Sequence, residues 1–355
     1  MKFLRNLALI AVAGVIAIAA YAPARGQQNT IIPMLICPFG CGPTEGYAIL
    51  GNLMAKGGEP ITIIPQETPG YMYNFRAMTE ERRWKSTIFG TEDVIIQLAP
   101  HGGNEEIKDY IPEKVTTPFK LLFGEAFWGQ GKYFVTYDPN IKTPADLKGK
   151  RIAIGLRTQS DFGFFAYLFL ADGYGVNPKN SDIRHVNPDT AIQQLIDGNV
   201  DAAVVAFGTN PNRSEWLISG PLRKLEAAGK KINYVGIDEA AAEKVNKKWN
   251  AGWLVAEVPA GTLPLQEKAF KSGLNRGYQA AHENFSEDAA YHLIKAVAKY
   301  GPEMTKLHGL WKLWSPEMMV HGLSDENVHP GAKKAYEELG WWDKRKQFPP
   351  VVFQK

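Results

Sequence analysis

Thr143-Pro144-Ala145-Asp146-Leu147-Lys148-Gly149-Lys150-Arg151-Ile152-Ala153-Ile154-Gly155-Leu156-Arg157-Thr158-Gln159-Ser160-Asp161 reads as a short capped helix, a stop, a strand and a polar loop. Thr143 suits the N-cap, and Pro144 suits the first helical position, where a missing N–H costs nothing. Gly149-Lys150 ends that helix, and Arg151 to Gly155 is strand-like. The loop Leu156 to Asp161 then leads into a very apolar helix from Phe162 to Ala171. A strand that runs into a polar loop and then a helix is the repeating unit of a mostly parallel α/β sheet.

The same alternation extends in both directions. Upstream, Ile31 to Cys37 predicts a strand, followed by a Gly/Pro loop and a helix through Ala48 to Ala55. Ile61 to Pro65 predicts a second strand, then the loop Glu67-Thr68-Pro69-Gly70 and a helix starting near Tyr71. Ser86 to Gly90 predicts a third, with Thr91-Glu92-Asp93 opening the next helix. Downstream, Tyr133 to Tyr137 is strand-like, Ala191 to Ile196 helical, and Ala202 to Phe207 a buried strand ending at Gly208. Tyr234 to Ile237 and the helix Glu239 to Lys248 follow, and helices dominate from Glu287 to Leu339. Two such sets without a Pro/Ser-rich linker predict two α/β lobes that share crossover strands. Ligands of open α/β sheets bind beyond the carboxyl ends of the strands. Those loops would therefore line a cleft between the lobes.

Composition narrows the function classes. The chain has 355 residues, 45% of them hydrophobic and 11% aromatic, enough for real cores and incompatible with general disorder. Forty Lys+Arg against 37 Asp+Glu is too balanced for a dedicated nucleic-acid binder, and two cysteines cannot staple a protein of this size. Lys2 and Arg5 precede an unbroken apolar run from Leu7 to Ala20, with small-residue cleavage options around Ala22-Pro23-Ala24 and Ala24-Arg25-Gly26. This is the pattern of a secretory signal peptide, and the run is short of the ~20 residues of a spanning helix. Removing residues 1–26 takes away Lys2, Arg5 and Arg25 but no acid, leaving an exported, nearly neutral protein. Cys37 and Cys41 would then sit in an oxidising compartment, either closing a small ring or remaining as two buried thiols. They have no neighbouring pair of Cys or His to complete a metal site.

Catalytic motifs are missing from the sequence. It contains no His-Glu-x-x-His, no Gly-x-Ser-x-Gly elbow and no phosphate-binding Gly-Lys-Ser/Thr loop. We therefore expect no enzyme, no cofactor and no metal. His321 and His329 read as surface or capping histidines, and Asp93 as a helix cap. The loop aromatics Tyr47, Tyr71, Tyr73 and Phe162 suit either a ligand pocket or packing beneath the loops. Arg157 offers a bidentate fork for a carboxylate, or else a surface charge or lobe-closing ion pair.

Several segments resemble the periplasmic solute-binding subunits of TRAP transporters of the TAXI type (TRAP-associated extracytoplasmic immunogenic proteins). Carrying the resemblance are Ile141 to Gly155, with its core Asp146-Leu147-Lys148-Gly149-Lys150-Arg151, and Ala191-Ile192-Gln193-Gln194-Leu195-Ile196-Asp197-Gly198-Asn199-Val200-Asp201-Ala202-Ala203. Val258-Pro259-Ala260-Gly261-Thr262 and His329-Pro330-Gly331-Ala332-Lys333-Lys334-Ala335-Tyr336 add to it, as do the first-lobe loops Thr68 to Asn74 and Thr91-Glu92-Asp93. The resemblance implies a type II periplasmic binding fold, two α/β lobes joined by crossover strands with a ligand cleft between them. It also implies capture of a small organic solute, often a carboxylate, for delivery to an ion-gradient-driven TRAP membrane permease. The chain departs from the family in having Glu92 where relatives have a small polar residue, and less glycine in the loops Gly40 to Tyr47 and Leu156 to Asp161.

Together these readings give four segments: a signal peptide (1–26), the first part of lobe 1 (27–130), lobe 2 (131–274), and a return to lobe 1 with C-terminal helices (275–355). Tyr47, Thr68, Tyr71 and Glu92 are the candidate ligand residues of one lobe, and Arg157, Thr158, Gln159, Ser160 and Gly208 those of the other. The expected protein is a monomeric periplasmic binder of a small organic acid or related polar metabolite, with no nucleic-acid partner. Two alternatives stay open: the binding protein of an ABC importer of the aromatic-sulfonate or thiamine-precursor type, and a periplasmic ligand-sensing module that does not transport.

Overall fold

The structure, a computed structural model, describes residues 29–38 and 42–351. The expected signal peptide and Cys41 lie outside the described residues. Among the described residues, no helix is long and apolar enough to cross a membrane.

The chain begins as the sequence suggests. Strand β1 (Thr30–Leu35) leads into helix α1 (Gly42–Lys56), β2 (Ile61–Gln66) into α2 (Tyr71–Ala77), and β3 (Ile88–Glu92) into α3 (Asp93–Leu98). β1 lies between β2 and β3 and runs parallel to both. Residues 99–115 then leave the first lobe and lie as a strap against the second. The Tyr110 ring stacks on Phe164 at 4.6 Å, and its hydroxyl lies 3.2 Å from His185 Nε2.

The second set opens on the long β4 (Phe119–Thr136), followed by the short capped turn Pro144–Leu147 and β5 (Arg151–Ile154). Asp146 accepts the backbone N–H groups of Lys142 and Thr143, each at 2.9 Å, which holds that turn as its spacing predicts. Next come α4 (160–173), whose two ends widen into π-type turns, then β6 (Asp182–His185), α5 (Pro188–Ile196) and β7 (Ala202–Thr209). β8 (Trp216–Ile218), α6 (Gly220–Ala227), β9 (Asn233–Val235), α7 (Glu239–Trp249) and β10 (Leu254–Val258) complete this lobe. β11 (Phe270–His282) returns to the first lobe, which α8 (Glu287–Leu307), α9 (Pro316–Val320) and α10 (Pro330–Glu338) close.

All strands join one curled mixed sheet of order β2-β1-β3-β11-β4-β7-β5-β6, with β10 on β11, β8 on β7 and β9 on β4. Two parallel groups, β2-β1-β3 and β7-β5-β6, flank an antiparallel pair, β11 and β4. That pair forms the crossover. Residues 119–124 of β4 pair with the β11 residues beside β3, while 129–136 pair with β7. The ladder is irregular between Arg276 and Tyr278, where β4 passes from one lobe to the other. The fold is thus two α/β lobes joined by the crossover strands β4 and β11. One large apolar cluster fills the first lobe and continues into the second through Phe164, Phe165, Phe169 and Trp253. A separate cluster around Tyr133, Val205 and Phe207 lies on the other side of the second-lobe sheet.

Several expectations are corrected. Thr91 and Glu92 are the last residues of β3, paired with Tyr278 and Gly277, and α3 opens at Asp93 with Glu92 at its N-cap position, so the strand runs two residues further than expected. The Asp93 carboxylate does bond the first turn of α3, Oδ1 accepting the Val94 N–H at 2.8 Å, and it also takes the Arg276 side chain, Nε donating to Oδ2 at 2.8 Å, in a buried ion pair that the sequence reading did not foresee. His321 and His329 are buried rather than on the surface. His321 contacts the Met318 carbonyl, and burial beside Arg276 pushes its pKa down to about 3. His329 does stand at the start of α10, but its ring makes no capping bond there and reaches the Phe285 carbonyl at 3.1 Å. Tyr73 lies within α2.

Candidate functional site

Elements of both lobes end at one cavity of ≈ 530 Å³. From the first lobe come Cys37 and Pro38 after β1, Gly42 and Pro43 at the start of α1, Gly70 and Tyr71 at the start of α2, and Glu92 at the end of β3. The second lobe supplies the 159–162 segment at the start of α4, 187–189 at the start of α5, the end of β7, and residues 217–221 around the start of α6. All of these are carboxyl ends of strands or amino ends of helices, where a parallel sheet leaves room for a ligand.

Glu92 and Ser160 meet across this cavity, with Ser160 Oγ donating to Glu92 Oε1 at 2.9 Å. Glu92 is 1% exposed and its Oε2 makes no hydrogen bond. Burial raises its pKa well above the usual carboxyl range, reinforced by the charges of Asp161 and Glu125 and opposed by Lys132 and Ser160. Behind this pair, Asp161 is ion-paired with Lys132, which is 1% exposed and flanked by the rings of Phe165 (5.4 Å) and Trp253 (5.7 Å). Tyr71 donates its hydroxyl to Glu125, which also accepts Gln279 Nε2 at 3.1 Å. Burial raises the Glu125 pKa to about 8, against the Tyr71 hydrogen bond that lowers it.

The lobes also touch where backbone meets backbone. Gly70 has φ +141°, and a Cβ there would sit 2.3 Å from the Thr158 carbonyl oxygen. Glycine is needed at this position for both its dihedral and its lack of bulk.

Of the sequence-derived candidates, Tyr71, Glu92, Gln159, Ser160 and Gly208 line this cavity. Tyr47 lies in the core, edge-on to Trp311 and Phe123. Thr68 Oγ1 donates to Asn74 Oδ1 at 2.6 Å and fixes the loop before α2. Thr158 contributes the carbonyl against Gly70. The Arg157 side chain is 52% exposed and faces Asp109 at 3.8 Å, outside the cavity. Cys37 is disulfide-bonded; Cys41, with which one of the two sequence readings closed a small ring, lies outside the described residues.

Sequence reasoning missed Glu125, Lys132 and Asp161, because no local motif marks them. The one usable signal was the charged residues interrupting an otherwise apolar, glycine-containing stretch, Phe119 to Thr136.

Residues 128–340 match the NMT1-like family. The chain belongs to that family. Three solved structures resemble this NMT1-like chain in outline. MatC from Rhodopseudomonas palustris with bound malate is 14% identical, with a TM-score of 0.47 over 89% of this chain and 99% of that one. The binding protein of an ABC phosphonate transporter from Pseudomonas aeruginosa is 13% identical, with a TM-score of 0.47 over 90% and 98%. The periplasmic aliphatic sulphonate binding protein SsuA from Escherichia coli is 12% identical, with a TM-score of 0.39 over 90% and 80%.

Proposed function

We propose that this NMT1-like protein is an exported, periplasmic solute-binding protein that closes its two lobes on a small polar organic solute and delivers it to an ion-gradient-driven TRAP-type permease. The observation that carries this reading is the shared cavity, spanned by the Ser160–Glu92 hydrogen bond and built from strand and helix ends of both lobes. Closure of two lobes around a ligand needs this arrangement, with binding groups on each side and a two-stranded connection between them. The TAXI subtype and the permease rest on the sequence resemblance. The nature of the solute is a separate matter. Among the described residues lining the cavity are three carboxyl side chains, Glu92, Asp161 and Asp189, and no Lys or Arg. This favours a related polar metabolite over an organic acid.

A thermal-shift screen of organic acids, amino acids, amines and polyols on the mature protein tests the reading, since a ligand that binds only the folded state raises the melting temperature. A shift with at least one class is expected; turnover of a compound without any shift would overturn it. A neighbouring gene for a fused multi-helix permease supports the TRAP assignment, and one for an ATPase replaces it with an ABC importer. Normal growth of a deletion strain on the bound solute would point to sensing without transport.

A further inference from the structure

We propose that Glu92 receives a positively charged nitrogen, so that the solute is a compact organic cation: a primary ammonium, amidinium or guanidinium on a partly apolar body. The inference rests on the solute-binding reading above and adds to it the charge of the ligand.

Four observations point the same way. The first is the formal charge of the lining: the Asp161 charge is balanced by Lys132, which leaves the carboxyl groups of Glu92 and Asp189 at the cavity. Of the nearest cations, Lys132 is buried against Asp161, and Arg157 faces Asp109 outside. The second is hydrogen-bonding capacity. Two hydroxyl donors of the lining, Tyr71 and Ser160, already give their protons to Glu125 and Glu92. Glu92 Oε2 is a buried acceptor with no donor, and a buried polar atom of this kind costs free energy until a ligand donor meets it.

Third, the helix starts are poor anion sites. Pro43, Pro188 and Pro221 each remove a backbone N–H from the first turn of α1, α5 or α6, and the Asp189 N–H is already taken by Asn187 Oδ1 at 3.0 Å. Fourth, the rings of Tyr71, Phe162 and Phe207 line the same cavity, and aromatic faces attract cations. The groups that act on Glu92 come from three elements: Asp161 and Ser160 from α4, Lys132 and Glu125 from β4, and Tyr71 from α2. The two acids favour its protonated form. A bound cation would offset the charges of Asp161 and Glu125 and favour the ionised form of Glu92.

The test uses the full mature protein, with putrescine, agmatine and tyramine as cations, succinate and 4-hydroxyphenylacetate as anions, and erythritol as a neutral probe. Thermal shift and titration calorimetry should show binding by at least one cation. Glu92→Gln should weaken that binding by about tenfold or more, as expected for loss of a charge-assisted hydrogen bond. Calorimetry in two buffers of different ionisation enthalpy should show protons released on cation binding, because a cation beside Glu92 favours its ionised form. Should Glu92→Gln fail to fold, Asp189→Asn, altered at an exposed lining position, and the proton count of the unaltered protein decide the matter. Binding by an anion or erythritol and by no cation would overturn the inference while leaving the solute-binding reading intact. Binding by none of the six probes would overturn the inference, and the broader screen above would then judge the binding reading separately.

Discussion

Ser160 Oγ donates to Glu92 Oε1 at 2.9 Å, joining the first residue of α4 to the last residue of β3 across the cavity between the lobes. It is a direct side-chain link between lobes, made by two residues that also face the ligand space. Ser160→Ala leaves Glu92 Oε1 without this donor in a side chain that is 1% exposed. We expect a stability loss of about 1–3 kcal/mol, read by urea unfolding. An unchanged midpoint and slope would mean that the bond is not formed in solution.

Glu125 gives the protein a pH-dependent stability. Burial raises its folded pKa to about 8, so the folded state binds this proton more tightly than the unfolded chain. The resulting stabilisation is fully present below the unfolded carboxyl range, falls as pH rises towards about 8, and is lost above it. Glu125→Gln keeps an acceptor for Tyr71 and Gln279 but cannot ionise. Melting curves of the variant should match the unaltered protein near pH 4.5 and lie above it at pH 9, the two diverging by ~1.4 kcal/mol for each unit of pKa shift. Parallel pH profiles would refute this.

Lys132 and Asp161 form a pair whose halves depend on each other. Lys132→Met leaves Asp161 beside Glu92 without its cation, and should cost ~3–5 kcal/mol in denaturant unfolding. Adding Asp161→Asn should recover most of that loss, because the double variant no longer carries an unpaired charge. Losses that simply add would show that the pair does not interact.

Arg157 lies half-exposed opposite Asp109, outside the cavity. Arg157→Ala should change solute affinity by less than about threefold, since an exposed ion pair is worth ~0–1 kcal/mol. A tenfold loss in titration calorimetry would put its guanidinium on the solute.

The fold was legible wherever an apolar run ended in a glycine or polar loop. β1, β2, β5, β7 and the apolar helix after Gly155 fall within a few residues of their sequence readings. β11 was not legible. Its Ser272, Asn275, Arg276 and Gln279 break any apolar pattern, yet all four are buried, because β11 lies mid-sheet between β3 and β4. Most of β4 was hidden for a related reason. Gly131 is there to admit the Phe207 ring, which a Cβ would approach to 2.0 Å, and Glu125 and Lys132 serve partners distant in sequence. The loops of the site could be located, because strand ends announce themselves. Which loop residues face inward could not, because this depends on how the two lobes are rotated against each other, and no local pattern encodes that.

The strap of residues 99–115 bears on affinity without touching the cavity. It holds the second lobe through Tyr110 on Phe164 and His185, Asp109 on Arg157, and Glu106 on Lys248. Contacts of this kind favour whichever arrangement of the lobes retains them, so part of the cost of bringing the lobes together is met outside the cavity. Two proteins with identical cavities but different straps would hold the same solute for different lengths of time. Retention is thus open to selection at a surface clasp, independently of what the pocket recognises.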